Sequence, residues 1–375
     1  MCPNSTWICL RASPSGLSLQ EHLTAYSQLE NFCPADKKSP QLIALIGVKA
    51  KTHFMKTLRL GGRQQGSITG EVRLRVDHDA FKEESPRIFV DCELHNISTI
   101  TSVKPEDARV DIITRAITWH TNSNISPALV GHLVYLRLIA PFSTTVVFFA
   151  DDFGGLHEIA EILIELLMRF KHQSSDLPAS THPQVLIFTQ SIDPDFDEVE
   201  ATKNFKMDLR KQADKKHTTL EECHRKMKKE EFEQLISAQF GGICVVAFPA
   251  LNMACNQWQK IKDRILKESN KIQEKRQENF VAFSAWHLKS FFHLASEHFC
   301  SNVVSPFSFL QASRIHNPIP AEFQSHMAAF LRTVKSDMIV DFAVPVIASA
   351  LVFDSYPSGM HGMLLFSPLA INILI

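Results

Sequence analysis

The chain has 375 residues, of which 45% are hydrophobic and 21% are charged. This composition is typical of a globular protein of about two domains and excludes a disordered or low-complexity chain. A net charge of -1 excludes the strongly basic surface typical of general nucleic-acid binding, so we expect no nucleic-acid partner.

Targeting signals are absent from the sequence patterns. The first residues show no basic stretch followed by an apolar one, so no secretory signal is indicated. The most apolar late stretch, residues 342–353, is shorter than the roughly 20 residues of a membrane span, so we expect a buried helix and no transmembrane segment. Eight scattered cysteines without a CxxC pair indicate free thiols in a reducing compartment. We therefore predict an intracellular, cytoplasmic protein.

The chain begins with residues 1–40, which we interpret as an irregular lead-in with one short helix near residues 19–32. An α/β domain is predicted for residues 41–250. Six apolar runs there have strand character: "LIALIG", "GEVRLRV", "RIFVDCEL", "TTVVFFADD", "QVLIFTQS" and "GICVVAFP". Several runs are continuous, as in strands covered on both faces, and helical stretches at 125–142 and 155–172 flank the fourth run. This alternation predicts a mostly parallel sheet with helices on both faces.

The later part of the chain has a different pattern. Residues 196–240 interleave Glu with Lys and carry no aromatic platform, which favours a solvated helical face over a nucleic-acid surface. Residues 251–362 contain only helical patterns and are predicted to form a helical domain. Residues 363–375 form an apolar tail that we expect to lie outside the core.

Residues 41–62, "QLIALIGVKAKTHFMKTLRLGG", have the layout of a phosphate-binding loop: an apolar strand, a glycine, a polar loop and a helical stretch. A P-loop requires G-x-x-x-x-G-K-[ST], in which backbone N–H groups and the lysine hold phosphate and the hydroxyl binds magnesium. Counting from Gly47, the last three positions hold Thr52, His53 and Phe54. This register lacks the second glycine, the lysine and the hydroxyl.

A second register takes Lys51 and Thr52 as the lysine and hydroxyl pair, but it leaves the loop two residues short. Other elements of a GTPase-like P-loop fold follow in the expected order and are also incomplete. "RIFVDCEL" ends in Asp91, the place of a magnesium-contacting aspartate, although Leu94 stands where D-x-x-G needs glycine. After the fifth run, "QSID" keeps only Asp193 of the N-K-x-D motif that reads guanine. We predict a degenerate nucleotide site with candidate residues Gly47, Lys51, Thr52, His53, Asp91 and Asp193.

Two other motifs permit both structural and functional interpretations. Asp151 and Asp152 follow an apolar run like a Walker B strand, but Asp152 could equally cap or lead into the next helix, and we favour that structural role. "HLASEH", residues 293–298, has one residue too many for an inverted zinc-protease motif, so we predict no metal site. No G-x-S-x-G elbow occurs, so no lipase-type nucleophile of that motif is present.

Five stretches resemble a known family: "FVDCELHNIS", "ADDFGGLHEIAEIL", "FSAWHLKSFFHLASEHF", "SRIHNPIPAEFQSHMAAFL" and "DFAVPVIASALVFDSYPSGMH". They resemble the GTPase-like region associated with the catalytic domain in large fungal patatin-like phospholipase (FabD/lysophospholipase-like) proteins, over roughly residues 40–361. The resemblance implies an indirect link to lipid metabolism. It does not carry lipase activity to this polypeptide, because the match stops at Gly362 without a patatin serine elbow.

We therefore expect a catalytically degenerate GTPase-like regulatory or interaction module with no cofactor and an unidentified protein partner. Two alternatives remain open. The first is an atypical nucleoside triphosphatase in which Lys49 or Lys51 replaces the missing lysine, with magnesium and GTP or ATP as its ligands. The second is a fragment of a longer lipid hydrolase whose catalytic domain is absent from this sequence.

Overall fold

Two compact units make up the chain in the computed structural model. Residues 1–275 and 283–307 belong to the first unit, and residues 276–282 and 308–375 to the second. The structure describes residues 6–13, 16–30, 38–60, 70–77, 83–94, 111–121, 125–171, 173, 175–191, 195–221, 228–248, 255–315 and 322–354. The expected boundary at residues 250–251 differs from this division, because the helix that follows it packs into the core of the first unit.

The first unit is an α/β structure built on one large sheet. Its strands are β1 (Thr6–Ser13), β2 (Gly16–His22), β3 (Gln41–Ile46), β4 (Glu71–Val76), β5 (Arg87–Cys92), β6 (Ile112–Ala116), β7 (Ser143–Phe149), β8 (Gln184–Gln190) and β9 (Gly242–Phe248). Their order is β6-β2-β1-β4-β5-β3-β7-β8-β9. Strands β5, β3, β7, β8 and β9 pair in parallel, whereas β6, β2, β1, β4 and β5 pair antiparallel. The sheet is therefore mixed, and the prediction of a mostly parallel sheet was wrong.

The first strands correct the prediction for residues 1–40. Instead of an irregular lead-in, β1 and β2 form an antiparallel hairpin that lies inside the sheet, between β6 and β4. The short helix expected near residues 19–32 is confirmed only for its later part, as a 3-10 turn at Leu23–Tyr26 followed by Ser27–Glu30. All six predicted apolar runs form strands. Several are continuous runs, which suit positions covered on both faces, whereas β4 alternates charged with apolar residues.

Helices cover the sheet and continue into the second unit. They are α1 (Ser27–Glu30), α2 (Lys49–Thr57), α3 (Thr118–Thr121), α4 (Pro127–Leu133), α5 (Leu156–Arg169), α6 (Glu198–Glu221), α7 (Lys229–Ser237), α8 (Cys255–Glu278), α9 (Ala285–Ser301), α10 (Phe309–Ser313), α11 (Phe323–Thr333) and α12 (Val344–Asp354). The predicted helix at 125–142 is divided into α4, a π-helical turn at Val134–Ile139 and a 3-10 turn at Ala140–Phe142. None of the described helices combines the length and the apolarity that crossing a membrane requires.

One face of the parallel strands carries an apolar core. Phe54 of α2 and Trp258 of α8 pack there with Phe149 of β7 and Phe248 of β9, and all four side chains are at most 2% exposed. This packing holds α2 directly over the carboxyl ends of the central strands. The position of α2 decides the geometry of the candidate site.

The second unit does not bear out the expectation of a buried helix at residues 342–353. Ala343 and Ile347 are buried, but Phe342 and Val346 are exposed, as are Met338 and Val340 just before them. A short helix cannot bury apolar residues placed all around its axis unless other elements surround it. The predicted tail, residues 363–375, lies outside the described residues.

Candidate functional site

The carboxyl end of β3 is the place where a ligand is expected in this sheet. β3 pairs in parallel with β5 on one side and with β7 on the other, and the chain continues from β7 to β8 and β9. Open α/β sheets bind ligands at such a topological switch point, outside the carboxyl ends of the strands. β3 ends at Ile46 and α2 begins at Lys49, so only Gly47 and Val48 connect them.

The first turn of α2 is occupied by a side chain from another part of the molecule. The Asp152 carboxylate accepts hydrogen bonds from the backbone N–H groups of Val48 (2.6 Å), Lys49 (2.9 Å), Ala50 (2.9 Å) and Lys51 (3.2 Å). These are the donors that a helix leaves without intrahelical partners, and the positive end of the helix dipole lies beside them. Asp152 therefore acts as an internal anion in the position where a phosphate would bind.

Gly47 permits this contact. A Cβ atom at residue 47 would lie 2.5 Å from Asp152 Oδ2, which is too close for both to stay in place, and at a tight 3.2 Å from the Phe149 Cβ. The glycine expected from the P-loop pattern is thus required here by the approach of a protein carboxylate. The presence of Gly47 in the sequence therefore does not show whether a phosphate or a protein carboxylate binds beside it.

Lys51 is turned into the protein, toward β5. Its side chain is 1% exposed, and Nζ lies 2.6 Å from Asp91 Oδ1 and 3.8 Å from Glu93 Oε1 while donating to the Cys92 carbonyl oxygen at 3.1 Å. Burial alone would raise the pKa of Asp91, but the Lys51 ammonium and the nearby Arg75 guanidinium offset burial and hold that pKa below its ordinary value. The predicted lysine and the predicted magnesium-strand aspartate therefore neutralise each other.

Thr52 and His53 make other contacts. Thr52 lies within the first turn of α2, where its N–H donates to the Val48 carbonyl oxygen. His53 faces Trp258, with ring centroids 5.0 Å apart, and Phe54 is completely buried in the core. Asp193 lies outside the described residues. The structure thus brings Gly47, Lys51 and Asp91 together at the switch point and places His53 on another side of the helix.

Sequence reasoning missed the partner of Asp152. The structural interpretation assigned Asp152 to the helix that follows it, but α5 begins after Gly155, which provides no side-chain cap. The carboxylate instead caps α2, about one hundred residues earlier in the chain.

The pKa of the neighbouring Asp151 is raised by partial burial and by the charge of Asp152, although a hydrogen bond with the Gln190 backbone opposes the shift.

The first histidine of the motif at residues 293–298 contacts charged side chains. His293 Nδ1 lies 3.1 Å from Glu21 Oε2, and the Arg115 guanidinium lies 3.1 Å from the same nitrogen. Within the described ranges, no group of three or more His, Cys, Asp or Glu side chains is arranged to hold a metal ion. His293 therefore belongs to an ionic cluster between α9, β2 and β6.

Comparison with known proteins provides little further information. No protein-family model matches the chain, and no curated protein matches it. A solved structure titled "The Structure of the Mammalian SRP Receptor" is similar over 60% of this chain and 99% of that chain, with 16% sequence identity and a TM-score of 0.32. At that TM-score the similarity supports no functional inference. The resemblance to patatin-like phospholipase proteins stays a prediction.

Proposed function

We propose that the chain is a GTPase-like regulatory or interaction module that works without nucleotide, because its own Asp152 closes the phosphate position. The observation that supports this proposal is the set of four hydrogen bonds from the first turn of α2 to the Asp152 carboxylate. The site lies at the switch point of the sheet, where a P-loop would act. A module of this kind keeps the shape of a nucleotide-binding fold and interacts with protein partners.

The backbone donors and the lysine that a P-loop uses already have internal partners. The backbone donors bind Asp152, and Lys51 binds Asp91. An entering phosphate would have to displace a carboxylate and would be repelled by it, since both groups are anions. The two-residue connection between β3 and α2 also has no length to wrap a second phosphate group.

The alternative of an atypical triphosphatase requires Asp152 to leave the first turn of α2. Lys49, which is exposed at the start of the helix, could then approach a phosphate, whereas Lys51 would have to abandon Asp91. Magnesium and GTP or ATP belong to this alternative alone. The link to lipid metabolism, and the reading of the chain as a fragment of a longer hydrolase, rest on sequence resemblance.

A thermal melt with millimolar GTP or ATP and magnesium tests the proposal on the full chain. A ligand at about 100 times its dissociation constant stabilises a fold by about 2.7 kcal/mol, which would raise the melting temperature clearly. We expect no response. A saturable rise that disappears in Lys49→Ala or Lys51→Ala would overturn the proposal and establish the triphosphatase alternative.

The Asp152→Ala variant tests the closing group itself, with inorganic phosphate as the probe. We expect a lower melting temperature than the wild-type protein, because four N–H donors lose a charged acceptor, and we expect phosphate to restore part of the loss. The matched control is Asp151→Ala, which removes a neighbouring carboxylate outside this set of hydrogen bonds. If phosphate stabilises the wild-type protein as much as Asp152→Ala, Asp152 does not close the site.

A further inference from the structure

The two edges of the sheet differ in how their backbone groups are satisfied. At one edge, the Val245 N–H of β9 donates to Thr202 Oγ1 of α6 at 2.9 Å, so a helix covers this strand. At the other edge lies β6, whose residues are at most half-buried, with Thr114 and Ala116 exposed. Natural proteins usually protect edge strands, because unpaired backbone groups offer a template for another strand.

The pairing of β6 with β2 shows which of its groups point outward. Ile117 N–H donates to the Leu17 carbonyl oxygen at 2.9 Å, and Leu23 N–H donates to the Asp111 carbonyl oxygen at 2.8 Å. In an antiparallel pair these bonds recur at every second residue, so residues 111, 113, 115 and 117 bond toward β2.

The alternate residues Ile112, Thr114 and Ala116 therefore direct their N–H and C=O groups away from the sheet. No backbone group of the described ranges bonds to this outward row. One extended strand of the same length as β6 would pair along the whole row.

We propose that β6 pairs antiparallel with β6 of a second copy of this chain, about a two-fold axis at Thr114. In this register Thr114 lies opposite Thr114 of the second copy, and Ile112 lies opposite Ala116. Every outward donor and acceptor of these three residues then has a partner. Opposed threonines are favourable neighbours across antiparallel strands, and Ile112 and Ala116 are both apolar. The two sheets join into one.

Charge and the number of paired residues favour this register over the two registers shifted by one residue. A register centred on Arg115 would place two guanidinium groups directly opposite each other, which is destabilising. A register centred on Ile113 would pair only two of the three outward residues. With the axis at Thr114, Arg115 lies opposite Ile113, and its charge is already neutralised by Glu21, whose Oε2 lies 2.7 Å from Arg115 Nη1.

Helix α9 lies where it would add to the area buried in the dimer. Stable interfaces bury on the order of 1,200–2,000 Å², more than a five-residue strand pair provides. α9 packs beside the edge, where His293 contacts Arg115, and Trp286 lies two turns earlier on the same side of the helix with 63% of its surface exposed. A two-fold axis perpendicular to the sheet places both α9 helices on one face of the joined sheet. Tryptophan is among the residues most enriched at the energetic centres of interfaces.

The oligomeric state of the full chain, measured by light scattering after size exclusion over a range of concentrations, tests the proposal. We expect a dimer for the wild-type protein and monomers for Thr114→Lys and for Thr114→Glu, because like charges would meet at the axis. Mixing the two variants should restore a dimer, since Lys then faces Glu. The control Gln234→Lys, at an exposed position of α7, should remain dimeric. A wild-type protein that is monomeric at every concentration would overturn the proposal, whichever other strand the edge accepts.

Cysteine cross-linking tests the register. Thr114→Cys should form a disulfide-linked dimer under mild oxidation, because opposed Cα atoms about 5.5 Å apart suit a disulfide. Ala116→Cys should not link to itself, since two such residues would lie about 14 Å apart along the strands at ~3.4 Å per residue, but it should link to Ile112→Cys in a mixture. The wild-type chain controls for its own cysteines. Equal self-linking at 114 and 116 would rule out the proposed axis.

Discussion

The parallel and the antiparallel halves of the sheet handle polar groups in different ways. In the parallel half, β3, β7, β8 and β9 present apolar residues to α2 and α8, and the groups that could bind a ligand are used internally. In the antiparallel half, charged side chains lie on the sheet itself, and no backbone group among the described residues bonds to the outward row of β6. The two proposals follow this contrast: the switch point is closed by internal partners, and the β6 edge is open to a second chain.

Strand β4 shows how the antiparallel half buries charged side chains. Its sequence alternates charged with apolar residues, and Glu71, Arg73 and Arg75 are all buried on one face. Glu71 Oε2 accepts hydrogen bonds from Thr6 at 3.0 Å and from Arg73 at 3.0 Å, while Arg75 lies 3.7 Å from Asp91. Buried charges of this kind are stable only when they are paired. The antiparallel half thus depends on its ion pairs where the parallel half depends on apolar packing.

The largest expected effect concerns the ion pair at the boundary between the halves. Lys51→Met should lower the free energy of unfolding by about 3–5 kcal/mol, because Asp91 would stay buried without its main counter-charge. Chemical denaturation measures the change. Lys49→Met is the matched control, since Lys49 is exposed on the same helix, and it should change stability little.

The double variant Lys51→Met, Asp91→Leu sharpens this test. Replacing both members of a buried pair by apolar residues is often far less costly than removing one. We expect the double variant to be more stable than Lys51→Met alone. The single variant Asp91→Leu completes the comparison. If the stability losses of Lys51→Met and Asp91→Leu add in the double variant, the two residues are not coupled and the ion pair does not hold α2 against β5.

The next effect is a pH dependence in the parallel half. His132 of α4 lies beside the rings of Tyr135 and Phe153, and burial lowers its pKa from 6.5 to about 4. The unfolded chain then binds a proton that the folded chain does not, so stability is complete above pH 6.5 and falls as the pH decreases toward 4. The loss attributable to His132 should reach on the order of 3 kcal/mol near pH 4.

Replacement of His132 by phenylalanine isolates this contribution. The variant should lose less stability than the wild-type protein between pH 6.5 and pH 4, the interval between the two pKa values. Denaturation curves at several pH values give the difference directly. Identical slopes in the two proteins would show that His132 is solvated or protonated in the folded state.

The sequence predicted the parallel half well and the antiparallel half poorly, for a physical reason. β3, β7 and β8 are continuous apolar runs, which few other structures accept. β1 and β2 mix polar and apolar residues, and β6 contains only five residues, so local patterns did not separate them from loops. Such strands are stabilised by their neighbours in the sheet rather than by their own composition.

The sequence pattern identified three residues that lie close together in the structure, but it did not predict the contacts that they make. Gly47, Lys51 and Asp91 were identified from the P-loop pattern, and the structure brings them together. That Lys51 turns inward to Asp91, and that Asp152 caps α2, depends on contacts between distant parts of the chain. Local sequence contains capping signals for the helix that follows an aspartate, and none for a helix about a hundred residues before it.

A smaller effect is expected in the ionic cluster of the antiparallel half. Glu21 is completely buried and accepts hydrogen bonds from Tyr26 and Arg115, with His293 also in contact. Glu21→Gln should lower the free energy of unfolding by about 2 kcal/mol, since hydrogen bonds to a charged group contribute about 1.5–3 kcal/mol. Glu297→Gln, an exposed change on α9, is the control for denaturation. An unchanged stability in Glu21→Gln would mean that the cluster does not support this half.

The smallest expected effect tests the contrast between the two edges. Thr202→Val keeps the shape of the side chain but removes the hydroxyl that accepts from the Val245 N–H. One ordinary hydrogen bond contributes about 0.5–1.5 kcal/mol, so the free energy of unfolding should fall by about 1 kcal/mol. The control Thr181→Val removes a hydroxyl that donates to the Pro178 carbonyl oxygen, in the turn before β8 and outside both edge strands.

Both variants should lose similar stability, but only Thr202→Val exposes a backbone donor on an edge strand, so only it should associate further at high concentration in light scattering. If Thr202→Val associates no more than Thr181→Val, capping by α6 is not what protects β9, and the difference between the two edges must come from their shapes.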